Sequence, residues 1–151
     1  MFKKQGVLFL VGLLFSIFGL QSSPASSLEA AAVRLKPCPN SPNCVSSLAD
    51  NPGQRIDPFP LLGSPAETLT ALARAVGAFP RTTLVFHGEG YLKAEFRTRL
   101  GFVDDLECLV DEDRGVVQVR SASRTGYWDL GVNRKRVEAL RKAYSEMVEK
   151  K

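Results

Sequence analysis

GFVDDLECLVDEDRGVVQVRSASRTGYWDLGVNRKRVEAL, residues 101–140, decides the fold. Apolar and polar residues alternate over 103–110, with Leu106, Cys108 and Val110 on one face. The same period returns over 115–123, with Val117 and Val119 inward. Asp113 and Arg114 sit between them, which makes a short antiparallel connection. A polar loop with Gly126 and Gly131 spans 125–132, and Tyr127 and Trp128 are placed over the sheet edge. The period then changes. Val137, Leu140, Tyr144 and Met147 recur at helical spacing, which predicts a helix over 133–148.

Upstream, residues 82–87 and 91–100 read as two more strands around the turn Gly88-Glu89-Gly90. In the second, Leu92, Ala94, Phe96, Thr98 and Leu100 face one way, and Tyr91, Lys93, Glu95, Arg97 and Arg99 the other. Charge suggests a register centred on Phe102, with Arg99 opposite Asp105, Arg97 opposite Glu107 and Lys93 opposite Asp111. A turn at Asp113-Arg114 would set Glu107 opposite Arg120. Each exposed cross-strand pair is worth only about 0.2–1 kcal/mol. Before these strands, Ser64-Pro65-Ala66-Glu67 spells a capping box with proline at the first helical position. Leu69, Leu72 and Val76 give that helix its apolar face, and Gly77 is its expected stop. Two helices needing one apolar sheet face predict an α+β fold. Its sheet is antiparallel, of about four strands, with both helices on one face and an irregular N-terminal segment.

A chain of 151 residues supports one domain. Lys3 and Lys4 precede an apolar run over 6–20, and Ser23-Pro24-Ala25 follows as a small-x-small cleavage site. The expected organisation is a signal peptide over 1–25, a linker over 26–36 and a single domain over 37–151. The apolar run is shorter than a comfortable span of about 20 residues, so membrane contact is expected only through an uncleaved leader. Loss of the leader lowers the formal charge from +4 by its two lysines, so general basicity does not argue for nucleic acid.

Residues 37–44, PCPNSPNC, form a tight loop bracketed by Cys38 and Cys44. In an exported chain this spacing favours a disulfide that fixes the loop's shape. Zinc wants about four Cys or His ligands, and three cysteines and one histidine serve it poorly. A redox pair would more often be Cys-x-x-Cys. Cys108, on an apolar strand face, reads as a buried thiol.

Chemistry concentrates where the last helix begins. Arg134, Lys135 and Arg136 crowd the positive end of its dipole, each costing up to about 0.3–1 kcal/mol when exposed. Asp104, Asp129 or Glu138 could compensate, or an external anion held by the free N–H groups. The ligand reading takes Arg120, Ser121, Ser123, Arg124, Asp129, Asn133, Arg134 and Arg136 as one anion-binding surface. The competing reading pairs those arginines with acids of the chain itself. A hydrolase-like enzyme would use Asp104, Asp105 or Ser123 with Arg120 and Arg124 as charge stabilisers. No Gly-x-Ser-x-Gly elbow is present, and His87 is the single histidine. No phosphate loop or dinucleotide fingerprint occurs, so no cofactor and no metal is expected. The polar sheet face carries charge rather than the aromatics an RNA-binding sheet would use.

Val103 to Asp105 (VDD), Arg120 to Arg124 (RSASR), Gly126 to Glu138 (GYWDLGVNRKRVE) and Cys38 to Ser47 (CPNSPNCVSS) together resemble a bacterial and plastid family, domain of unknown function family 1499. The resemblance implies no established activity. With the leader it suggests export to a periplasm or thylakoid lumen. The expected function is a small ligand- or partner-binding module for an anionic small molecule or a protein, with an assembly factor as a further reading.

Overall fold

In the computed structural model, residues 33–149 are described. The expected leader and most of the linker lie outside them. Among the described residues, no helix is long and apolar enough to cross a membrane.

The elements are β1 (Cys44–Ser46), β2 (Phe59–Pro60), α1 (Pro65–Gly77), β3 (Thr82–Gly88), β4 (Tyr91–Arg97), β5 (Val103–Asp111), β6 (Val116–Ser123) and α2 (Val132–Glu149). The sheet is antiparallel in the order β1-β6-β5-β4-β3, with β2 also on β6. It has six strands rather than about four. The two extra ones lie end to end along β6, where Cys44 faces Ala122 and Phe59 faces Val117. Strands this short show no alternation, and Pro60 is tolerated because β2 is an edge. Apart from these two short strands, the N-terminal segment is irregular, as expected.

Helix α1 forms as its capping box directs. Ser64 accepts from the Glu67 N–H, and the Glu67 carboxylate accepts from the Ser64 N–H. It ends at Gly77, but its cap is Ala78 in right-handed backbone, not a left-handed glycine. Leu69, Leu72, Ala75 and Val76 are buried on one side. In α2 the inward stripe is Asn133, Val137, Leu140 and Tyr144. Helix α1 lies over β3 and β4, α2 lies over β6 and β1, and the two helices touch. Between them and the sheet sit Phe59, Leu92, Ala94, Leu106, Val117 and Val119, all fully buried. Cys108 joins this core as a free thiol, which burial pushes up to about 12.

The β5–β6 register sets Glu107 opposite Arg120, as charge predicted. The β4–β5 register differs. Glu95 faces Asp105, Lys93 faces Glu107, and Arg97 faces Val103. The strand stops at Arg97 because a turn closes there. The Thr98 N–H donates to the Phe102 carbonyl at 2.8 Å, and Gly101 takes φ 87°. Both registers keep the same side chains inward, so burial does not separate them, and turn geometry outweighs a few exposed charge pairs. On the far side, β3 ends the sheet. Its pairing with β4 slips between Leu84 and Phe86, and Leu84, Val85 and Phe86 are exposed.

Candidate functional site

Strand alternation divides the expected site in two. Asp104, Ser121 and Ser123 project toward α2, whereas Asp105, Glu107, Arg120 and Arg124 lie on the opposite face of the sheet. The eight residues expected to converge therefore do not share one surface.

On the open face the arginines meet the chain's own acids. Arg124 grips Asp105 with two bonds, Nε to Oδ2 at 2.9 Å and Nη2 to Oδ1 at 2.8 Å, and also reaches Glu95. It thereby neutralises the like-charged cross-strand pair Glu95 and Asp105. Arg120 binds Glu107 at 3.1 Å, and the Tyr91 hydroxyl donates to the other Glu107 oxygen at 2.7 Å. The Arg120 Nε is buried with no partner among the described residues. Arg124 holds the Asp105 carboxyl below the usual carboxylate range. A carboxyl depressed on folding stabilises the native state above its unfolded value, about 3.9. That contribution disappears as pH falls through the lower folded value. Urea midpoints measured from pH 6 to pH 3 should therefore fall less steeply in Asp105→Asn than in the parent. Equal slopes would show that the pair contributes nothing to acid sensitivity.

On the helix side a buried polar network ties α2 to the sheet. Asn133 is fully buried. Its Oδ1 accepts from Ser121 Oγ at 2.6 Å and Arg136 Nη1 at 2.7 Å. Its Nδ2 donates toward the Asn43 carbonyl, Ser123 Oγ and Asp129 Oδ2 at 3.1, 3.0 and 2.8 Å. Asp129 also accepts from the N–H groups of Gly131 and Asn133, so it supplies the negative charge at the helix start. Arg136 pairs with Asp104 at 2.5 Å, and both side chains are nearly sealed. The guanidinium also lies 4.7 Å from the centre of the Phe96 ring. Among the described residues Arg134 reaches only the Gly53 carbonyl, and Glu138 is taken by Arg141.

Asn43 is the residue of this network that sequence reasoning missed. The Cys38–Cys44 disulfide closes the loop that carries it. Asn43 accepts from Ser41, donates to the Gly126 carbonyl, and offers its own carbonyl to Ser123 N and Asn133 Nδ2. Gln54 holds the same loop through the carbonyls of Pro39 and Ser41. The cysteine ring thus braces the loop between β6 and α2.

That loop forms one wall of a cleft of about 310 Å³. Trp128, Leu130 and Val132 line this wall, Leu100 and Phe102 of the β4–β5 turn line the other, and Asp104 and Ser123 lie at the base. Leu100, Phe102, Trp128 and Leu130 are 84%, 53%, 67% and 65% exposed, so the walls are apolar and uncovered. Leu130 holds φ 56°, a left-handed backbone that costs a non-glycine residue about 1–3 kcal/mol. A larger groove, about 930 Å³, separates α1 from the end of α2, but no buried polar group of the described residues lines it.

Nucleophilic chemistry finds little support here. Ser123 Oγ accepts from Asn133, and among the described residues no base takes its proton. His87 pairs with Leu92, whereas Asp104 pairs with Phe96. The histidine is therefore roughly 14 Å away along the strand direction and two strands across. Among the described residues, no group of three or more His, Cys, Asp or Glu side chains could hold a metal ion.

An α+β domain with an apolar cleft above a buried ion pair is the class these observations define. Residues 34–144 match the family described as protein of unknown function (DUF1499), and the chain belongs to that family. No curated protein and no solved structure matches it.

Proposed function

We propose that this domain is a binding module that takes a small ligand with an apolar body into the cleft between the β4–β5 turn and the β6–α2 loop. One observation carries the reading: Leu100, Phe102, Trp128 and Leu130 stand uncovered around a hollow that has the buried Asp104 and the half-buried Ser123 at its base. Small-ligand sites combine apolar walls with a few fixed polar groups in this way. The positions of the arginines favour this site over an anion held by the loop. Arg120, Arg124 and Arg136 already have carboxylate partners, which leaves Arg134 and Lys135 as the cations of the cluster without one among the described residues. An exported, disulfide-closed protein remains our reading of its setting, supported by the Cys38–Cys44 bridge and the leader-like start of the sequence.

Trp128 is the chain's single tryptophan and lines the cleft, so its fluorescence reports occupancy directly. Alkylphenols, titrated with excitation selective for Trp128, and indole derivatives, followed by the Trp128 indole NMR signal, should give saturable changes. Phe102→Asp should weaken binding by about tenfold or more, with thermal stability nearly unchanged because Phe102 is exposed. A Trp128 signal that responds to none of these compounds would overturn the reading.

A further inference from the structure

The base of the cleft contains an unused pair of hydrogen-bonding groups. Asp104 is 2% exposed, and its Oδ2 is held by Arg136 Nη2. Its Oδ1 accepts no bond from any described residue, yet it is not sealed off, and the side chain lines the cleft. Such an oxygen is unusual, since buried carboxylates normally use both. Directly across the β5–β6 pair stands Ser123. Its Oγ accepts from Asn133 Nδ2, and its own hydroxyl proton has no acceptor among the described residues. Facing cross-strand positions lie about 4.5–5.5 Å apart. One acceptor and one donor therefore sit side by side beneath apolar walls.

Resting on the cleft reading above, we propose that the ligand carries a neutral hydroxyl or carboxamide that donates to Asp104 Oδ1 and accepts from the Ser123 hydroxyl. Its aromatic or branched aliphatic body lies against Phe102, Trp128 and Leu130. The chemistry excludes carboxylates, which cannot donate and would bring a second negative charge to Asp104. It also disfavours a purely apolar guest, which would cover the carboxylate oxygen and leave it without water or partner. Arg136 fixes Asp104 from behind, and Asn133 fixes Ser123, so both groups are held in place before a ligand arrives.

The test uses the full domain, uniformly ¹⁵N-labelled, with 4-ethylphenol, 4-ethylanisole and 4-ethylbenzoate as probes. These share a body and differ in the group at its end. The shift of the Trp128 indole signal gives each dissociation constant. The phenol should bind at least about tenfold more tightly than the methyl ether, and the benzoate should not bind. Ser123→Ala should weaken phenol and ether together, since either oxygen can accept from the Ser123 hydroxyl, and should leave the gap between them, which Asp104 sets. Asp104→Asn, if it folds, should admit the benzoate, and the unmodified domain already decides the matter if it does not. Equal affinity for phenol and ether would overturn this assignment and leave the cleft as a binding site. No shift with any probe would overturn both.

Discussion

Arg136→Met should destabilise the domain by about 3–5 kcal/mol, the cost of leaving one member of a buried ion pair without its partner. The side chains of Arg136 and Asp104 are 8% and 3% exposed, so water cannot replace the lost guanidinium around Oδ2. Methionine keeps the length of the side chain and much of its packing against Phe96, so the loss measures charge and hydrogen bonding more than volume. The cost should lie toward the lower end, because Asp104 Oδ1 opens to the cleft. Adding Asp104→Leu to Arg136→Met should recover most of the loss, since a buried pair replaced whole by apolar groups is often close to neutral. Urea unfolding of the two single variants and the double variant checks this. A single-variant loss below about 1 kcal/mol, the range of exposed surface pairs, would show that the pair is solvated in solution.

A second large effect belongs to Asn133→Leu, which should cost about 2–4 kcal/mol because several buried donors and acceptors lose their partner together. Ser121, Arg136 and the Asn43 carbonyl all depend on this one amide. Leucine fills a similar volume, so a cavity cannot account for the loss. The residue also joins three elements, the β1 entry, β6 and α2. Hydrogen exchange should consequently speed up over 124–133 as well as at the helix start. Exchange unchanged over that loop, with global stability also unchanged, would remove Asn133 from the role assigned to it.

Much of this was legible from periodicity. The inward face of β5 runs through Asp104, Leu106 and Cys108, and that of β6 through Val117, Val119 and Ser121. The stripe of α2, followed one turn back from Val137, arrives at Asn133. Three polar residues on three buried faces could have been paired before any coordinates were known. The same alternation puts Arg120 and Arg124 on the face of the sheet opposite Arg136. Other features were not available. The β4–β5 register departs from the one that charge predicts because the turn that Thr98 and Gly101 make outweighs exposed charge pairs, and because Arg124, from a third strand, stabilises the adjacent acids. Strands β1 and β2 are too short to show a period. The cleft brings together a turn and a loop about thirty positions apart, and only the folded chain places Leu100 near Trp128.

The slip in pairing at β3 has a bearing on how the molecule behaves among its own kind. An outermost strand with bare aliphatic and aromatic groups invites another chain to dock alongside and extend the ladder. Val85 falls where the spacing is broken, and such an irregularity bends the rim and puts its amides out of step with a straight newcomer. The kink lets three greasy residues remain at the margin of the sheet while frustrating the growth of stacked, edge-joined aggregates.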